Sequence, residues 1–454
     1  MPQWELIGGD CIAAMADLAL DGQVFQSIVT DPPYHLQSIQ NRFAKSPRSE
    51  TTERYAAGPY GRHARGFMGQ KWDGGDIAFD VHTWALCWEL LPPGGHLVAF
   101  SSPRTYHRMA CAIEDAGFEI RDQIMWIYGS GFPKSHDVSK GIDKALGAKR
   151  ERVRYPASEI RNPKSIGDGH GIEGGDRPWM QEALERGFHE KDSDVPATLE
   201  AELWQGWGTA LKPAHEPIVL ARKPLAGTVA GNVLLHATGA LNIDATRIQM
   251  SGADRSYIEE RIGGFNKTQS IGGKTAYGGG RVMDRADAYD GSKGRWPANV
   301  CHDGSDQVLG CFPDAPGQIA DVSPTAPSPK TGHVYGPMKR EGEASAARRY
   351  ADRGATDFAP LPGQRRNDRG SAARFFYCAK ASKAERHGSK HPTVKPLALL
   401  RWLVRMVTPP GGRVLDPFAG TGTTGAAARL EGCDSLLIEA EPDYQDDIRR
   451  RMAA

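Results

Sequence analysis

Ser27-Ile28-Val29-Thr30-Asp31-Pro32-Pro33-Tyr34 is an apolar, β-branched stretch that stops on two prolines. The run from Val24 to Thr30 predicts a buried strand. The first proline removes a backbone donor and the second restricts the residue before it, so neither strand nor helix continues. An acid and an aromatic ring are thereby held on a stiff turn at a strand end, which in an open parallel sheet is where ligands bind. A plain strand stop with a packed Tyr34 explains the same residues, so the rest of the chain has to arbitrate.

The bulk properties narrow the classes. A chain of 454 residues has room for two or more domains. Hydrophobic content of 39% with 24% charged residues describes a soluble globular protein. The net charge of +1 excludes a uniformly basic surface, so any nucleic-acid footprint has to be local. Seven scattered cysteines (11, 87, 111, 301, 311, 378 and 433) form no C-x-x-C pair. That pattern predicts reduced thiols and no zinc ribbon, disulfide framework or other metal site. Trp4, Glu5, Asp10 and Asp17 stand where a signal peptide needs an apolar core, and no run approaches the ~20 apolar residues of a membrane span. A cytoplasmic protein is expected.

Working outward from the turn, Trp4-Glu5-Leu6-Ile7 predicts a strand. After Gly8-Gly9-Asp10-Cys11, Ile12, Met15, Ala16 and Ala19 recur at helical spacing. Asp10 is either the helix N-cap or a polar contact to a ligand at the sheet edge. From 35 to 75 periodicity is lost. There Arg42, Lys45, Arg48, Arg54, Arg62, Arg65 and Lys71 are interleaved with Tyr55, Tyr60 and Phe67, which suits an arm over a polyanion and equally a solvated loop. A helix from Trp84 to Leu91, the break Pro92-Pro93-Gly94-Gly95 and the strand Leu97 to Ser101 follow. A second helix runs from Arg104 to Ala116, and a strand from Gln123 to Tyr128. Strands alternating with helices of this length make a parallel α/β sheet.

Residues 136–210 are charged and weakly periodic and read as an insertion. Pro217 to Ala221, within 211–224, predicts one more strand, placed at the sheet edge. The segment 225–385 is rich in glycine and proline. Between Lys339 and Lys395 it carries 14 Lys/Arg against 6 Asp/Glu, with Phe375, Phe376 and Tyr377 near the end. That bias suits nucleic acid. In 386–454 the helix–Pro-Pro-Gly-Gly–strand arrangement returns. A helix starting at Pro396 with Leu400, Leu403, Val404 and Val407 on one face precedes Pro409-Pro410-Gly411-Gly412 and the strand Arg413 to Asp416.

Asp416-Pro417-Phe418-Ala419-Gly420-Thr421-Gly422-Thr423-Thr424-Gly425 then leads into an alanine-rich helix, and a further strand ends in Glu439. Gly420, Gly422 and Gly425 form a G-x-G-x-x-G whose bare backbone lets a ligand approach a helix N-terminus. An acid about 20 residues on takes ribose hydroxyls. Nicotinamide, flavin and adenosyl-sulfonium sites share this pattern. Asp416, at the strand end before the loop, suits a cationic amino-acid moiety better than a pyrophosphate.

Together, Asp31-Pro32-Pro33-Tyr34, His391-Pro392-Thr393-Val394-Lys395-Pro396 and Asp416-Pro417-Phe418-Ala419-Gly420-Thr421-Gly422 resemble the motifs of the amino-methylating (N6-adenine and N4-cytosine) DNA methyltransferases. Their order is that of the permuted β group. The resemblance covers roughly 1–135, 210–224 and 386–454. It implies a Rossmann-like methyltransferase sheet assembled from both chain ends. The catalytic half is 1–135, the cofactor half is 386–454, and 225–385 is an inserted target-recognition region.

The resemblance also implies an S-adenosylmethionine pocket lined by Phe418, Gly420, Thr421 and Gly422. Asp416 lies near the amino-acid end, Glu439 on the ribose hydroxyls, and Asp10 near the adenine ring, with Cys11 among the cofactor contacts. Thr393 and Lys395 hold the methionine end, and His391 is structural. Double-stranded DNA is the implied partner. A cognate restriction nuclease and a monomeric or homodimeric state are the further partners it suggests.

The chemistry explains the turn. An exocyclic amino nitrogen is a poor nucleophile because its lone pair is delocalised into the ring. Asp31 and the Pro32 carbonyl accept its hydrogens, Pro33 stiffens the turn, and Tyr34 stacks on a base that has left the duplex. In the family, Asp before Pro-Pro-Tyr goes mainly with adenine N6, which is the expectation here, with cytosine N4 as the alternative. The rivals are a nicotinamide or flavin oxidoreductase, a silent DNA-binding module on the same fold, and methylation of RNA or a protein amide. The oxidoreductase leaves Asp31 to Tyr34 without a role, and a silent module has no need of both.

Overall fold

Ser27 to Thr30 is buried at every residue. Both neighbouring strands and helices on both faces cover it, which is why it reads as a continuous apolar run. The computed structural model describes residues 2–34, 76–131, 135–156, 183, 185–250, 294–313, 371–379, 385 and 394–453. The basic stretch 35–75, most of 225–385, His391 and Thr393 lie outside the described residues.

The N-terminal part runs β1 (Trp4–Gly8), α1 (Cys11–Leu20), β2 (Ser27–Thr30), α2 (Val81–Glu89), β3 (His96–Phe100), α3 (Tyr106–Asp115) and β4 (Glu119–Ile127). Next come α4 (Val138–Ala145), β5 (Arg152–Pro156), β6 (Phe188–Asp192), α5 (Leu199–Leu203), β7 (His215–Arg222) and α6 (Val229–His236). After β8 (Val300–His302) and β9 (Tyr377–Cys378), the chain closes with α7 (Leu397–Val407), β10 (Arg413–Asp416), α8 (Thr423–Leu430), β11 (Asp434–Glu439) and α9 (Pro442–Ala453).

Among the described residues, nine strands form one sheet in the order β1-β11-β10-β2-β3-β7-β4-β8-β9. All pairings are parallel except the two made by β7. At the first four positions the C-terminal strands β11 and β10 lie between the N-terminal strands β1 and β2, so the sheet is assembled from both chain ends, as expected. The repeated helix–Pro-Pro-Gly-Gly–strand unit delivers β3 and β10, the two neighbours of β2. In both copies the second glycine's N–H donates to the first proline's carbonyl over 2.9 Å, Gly95 to Pro92 and Gly412 to Pro409. Alternation along β2 sends Ile28 into a core with α1, α2 and α3, and Val29 into a second core with α7 and α8.

Three expectations change. The strand expected from Val24 begins at Ser27, because the N–H groups of Phe25 and Gln26 donate to Leu90 and Arg413 on different segments. The strand expected at the sheet edge is β7, and it lies inside the sheet, antiparallel to β3 on one side and β4 on the other. Pro217 suggested an edge because proline cannot donate to a ladder. It stands one residue outside the last β3 pair, Phe100 with Ile218, so the interior run from Ile218 to Arg222 keeps its donors.

The insertion 136–210 has structure of its own. It contains the β5–β6 ladder, and around it a buried ion pair in which Arg150 Nε lies 2.6 Å from Asp143 Oδ2. Asp143 also accepts from Thr198 Oγ1 and Ala197 N.

The chain divides into two compact units. One comprises Met1–Thr246, Ala298–Val308 and Tyr377–Ala454; the other comprises Arg247–Pro297 and Leu309–Phe376. Residues 225–246 and strands β8 and β9, inside the expected recognition segment, thus belong to the first unit. In the second unit, Arg295 and Arg374 stack on the ring of Phe375 at 4.4 and 4.5 Å.

Candidate active site

At the carboxyl end of β2 the chain turns through Asp31-Pro32-Pro33-Tyr34. The Tyr34 hydroxyl donates to Asp31 Oδ1 over 2.7 Å, so the turn is closed on itself. Thr105, just before α3, donates from Oγ1 to the Tyr34 carbonyl at 3.3 Å. Lys395, at the start of α7, brings its ammonium to 2.7 Å from Asp31 Oδ2 and 3.1 Å from Glu216 Oε2. It also donates to the Tyr34 hydroxyl over 3.0 Å. The rings of Phe100 and Tyr34 lie 5.0 and 5.3 Å from the same nitrogen. Glu216, from β7, completes a half-buried quartet around the buried Lys395, 3.3 Å from the Tyr34 oxygen.

Electrostatics define the protonation states. Burial, joined by the carboxylates of Asp31 and Glu216, pushes the Tyr34 phenol well above its usual range, so it stays neutral. Burial works against the Lys395 ammonium, but Asp31 and Glu216 outweigh it and hold the lysine charged. Burial also raises Glu216; Lys395 opposes the shift and Asp31 adds to it.

The glycine loop follows β10, the parallel neighbour of β2. Asp416 ends that strand, almost fully buried, and accepts from Thr30 Oγ1 at 2.7 Å and Phe418 N at 3.1 Å. Burial pushes its carboxyl up to about 6 against those hydrogen bonds. Gly420 and Gly422 take the left-handed values φ 53° and 75°, and Gly422 leads into α8. Glu439, at the end of β11, accepts from Gly420 N at 2.7 Å and Glu441 N at 2.9 Å. Burial pushes it up to about 7. One strand further, Asp10 caps α1 by accepting from Ala13 N over 3.0 Å. Asp10, Glu439, Asp416 and Asp31 therefore stand at the carboxyl ends of four consecutive strands, β1, β11, β10 and β2.

Along that edge lie most of the residues singled out from sequence. Phe418 is half-buried against the first core, and the Cys11 thiol is packed in it, pushed up to about 12 by burial and so protonated. Thr393 lies outside the described residues. Lys395, expected at the methionine end of a cofactor, contacts Asp31, Tyr34 and Glu216. Two residues escaped the sequence reading. Glu216 has no motif spacing to mark it. Arg451, from α9, donates from Nε to the Thr421 carbonyl over 2.8 Å and steadies the glycine loop.

A bare-backbone loop at a helix N-terminus, flanked by three acids, fits a ligand with ribose hydroxyls and a cationic end. An acceptor and a ring on the adjacent strand can hold a second, planar reactant beside it.

Comparison with known proteins shows the family. The model of the N6/N4 methyltransferase family, described as DNA methylase, matches residues 25–450. Type II methyltransferase M2.DpnII of Streptococcus pneumoniae is 42% identical over 72 residues, 16% of this chain and 27% of that protein, so the match spans about a quarter of the relative's length. Among solved structures, the M1.HpyAVI–SAM complex aligns over 100% of both chains at 13% identity with a TM-score of 0.37. The cytosine-N4-specific PvuII DNA methyltransferase aligns over 99% of this chain and 88% of its own at 12% identity, with a TM-score of 0.35.

Proposed function

Because this chain belongs to the DNA methylase family, we propose that it methylates an exocyclic amino group in double-stranded DNA with S-adenosylmethionine as donor, the target being N6 of a flipped-out adenine. One observation carries the reading. The Asp31 turn and the Gly420 loop leave the carboxyl ends of the hydrogen-bonded parallel strands β2 and β10, so whatever each holds meets the other.

The residues present fit the cofactor. Gly420 and Gly422 offer backbone without a Cβ, Glu439 suits the ribose hydroxyls, Asp10 the adenine end, and Asp416 the cationic amino-acid end. Bound there, S-adenosylmethionine supplies an electrophilic methyl on a sulfonium. The chain's own work is on the other reactant. The Asp31 carboxylate and the Pro32 carbonyl accept the two amino hydrogens, which draws the nitrogen toward tetrahedral geometry and frees its lone pair. Tyr34, kept neutral, offers its ring to the base. As the new N–C bond forms, the nitrogen sheds one proton, and the Asp31 carboxylate is the acceptor at hand. Holding both reactants in line is the larger part of the rate enhancement.

Asp31 before Pro-Pro-Tyr supports adenine, by resemblance to the family's adenine members. The test is incubation of the purified protein with labelled S-adenosylmethionine and unmethylated DNA, followed by nucleoside analysis. Label in N6-methyladenine is the expected result. Label in N4-methylcytosine changes the base, and DNA without label overturns the reading.

A further inference from the structure

Glu216 is a carboxylate of this site that the methylation chemistry leaves without a role. It stands on β7 opposite Trp126 of β4, two residues before the interior of the strand that pairs on both sides. Its side chain is 18% exposed, and that of Lys395 is 8% exposed. A carboxylate in such a place is retained at a cost in free energy unless a partner offsets it. Its partner is Lys395, and Lys395 is shared. The ammonium has three hydrogens and, within hydrogen-bonding distance, three acceptors: Asp31 Oδ2, Glu216 Oε2 and the Tyr34 hydroxyl. Asp31 Oδ1 already accepts from Tyr34. Both oxygens of Asp31 are thus engaged, and the amino group of a base has to compete for them.

Here the second acid matters. With Glu216 ionised, one cation is divided between two carboxylates, and Asp31 keeps part of its negative charge for a further donor. Without Glu216, the whole lysine charge falls on Asp31 and weakens it as an acceptor. We infer that Glu216 is a positioning residue for methyl transfer: it anchors Lys395 midway between the two acids, leaving Asp31 able to accept the substrate's amino hydrogens. The inference rests on the methyltransferase reading above. It concerns a residue to which the methylation chemistry above assigns no contact with cofactor or base.

The test compares wild type, Glu216→Gln and Glu216→Asp in three measurements: single-turnover methyl transfer to DNA at saturating cofactor, the dissociation constant for S-adenosylmethionine, and the unfolding midpoint. Loss of one charge-assisted contact should slow transfer in Glu216→Gln roughly tenfold or more. Cofactor affinity and unfolding midpoint should stay near those of wild type, and Glu216→Asp should recover part of the rate. An unchanged rate in Glu216→Gln overturns the inference. So does a rate loss matched by lost cofactor binding or a collapsed unfolding midpoint in both variants, since that is a structural role.

A wild-type protein that does not methylate DNA refutes the methyltransferase reading instead. The anchor then still faces its own test, the ¹⁵Nζ titration of Lys395. Among the described residues, Asp31, Tyr34 and Tyr128 are the titratable groups that face Lys395 and Glu216. If Glu216 anchors the lysine, its titration moves down in Glu216→Gln; an unmoved titration overturns the anchor.

Discussion

The Thr30 hydroxyl donates a 2.7 Å hydrogen bond to the Asp416 carboxylate, 386 positions away in the chain. The bond joins the last residue of β2 to the last residue of β10, and so ties the stem of the Asp31 turn to the stem of the glycine loop. The two halves of the site are neighbours because two strands from opposite chain ends pair in parallel.

Removing the acceptor at the turn should separate binding from chemistry. Asp31→Ala is expected to lower methyl transfer by at least about 10²-fold, the scale of losing one aligned polar contact at a reacting centre. Calorimetric binding of S-adenosylmethionine should persist, because Asp31 lies on the turn after β2 and not on the glycine loop. Full activity in Asp31→Ala would show that another group accepts the amino hydrogens.

Lys395 should matter to stability as well as to rate. Lys395→Met leaves Asp31 and Glu216 facing each other with no cation, and breaking a buried pair from one side costs on the order of 3 kcal/mol. Urea unfolding would show a lower midpoint. Adding Glu216→Gln to that variant should restore part of the loss, because it removes one of the two like charges. Additive losses would mean that the two acids do not interact through the lysine.

Cofactor binding should depend on pH with a definite sign. Burial holds the Glu439 carboxyl at about 7, above its ordinary 4.5, so near neutral pH a substantial fraction is protonated. Ribose hydroxyls donate to the ionised form, so binding favours loss of that proton. Affinity for S-adenosylmethionine should therefore rise roughly tenfold from about pH 6 to about pH 8 and level off above. Asp416, at about 6, acts in the same direction at the lower end. Calorimetry across this range should show the rise in wild type and a flattened profile in Glu439→Gln. A flat wild-type profile would remove Glu439 from the ribose site.

The glycine loop permits a controlled comparison. Gly422 and Gly411 both have positive φ, 75° and 72°, but a Cβ at Gly422 would meet Ile448 Cγ1 at 3.0 Å, while one at Gly411 meets nothing within 4 Å. Gly411→Ala should cost about 1 kcal/mol from backbone strain alone. Gly422→Ala should cost more, because Ile448 has to give way. Equal unfolding midpoints for the two variants would mean that α9 yields without resistance.

Several elements were legible because their signals act on their own backbone. Proline and glycine at 32–33, 92–95 and 409–412 end one element and start the next wherever the segment sits. The strand Arg413–Asp416 and the apolar face of Leu400, Leu403, Val404 and Val407 follow the same local logic. Where a residue's meaning depended on a distant partner, the sequence was silent or misleading. Pro217 pointed to a sheet edge, yet β7 is enclosed between β3 and β4. Glu216 carried no signal, because nothing in its own segment reveals that Lys395 lies across the sheet from it.

By itself the sequence determined the strands β1 to β4, β7, β10 and β11 and the proline–glycine breaks between them, but not β5, β6, β8 or β9, and it determined that an acid, an aromatic ring and a glycine loop stand at strand ends. Those features arise from backbone restriction and side-chain periodicity within a few residues. Only the tertiary structure decided that β10 lies against β2, that β7 enters the sheet antiparallel, and that Lys395 is divided between Asp31 and Glu216. Sheet order and buried charge sharing arise from pairings between remote segments, and neither leaves a pattern in the residues of any one of them.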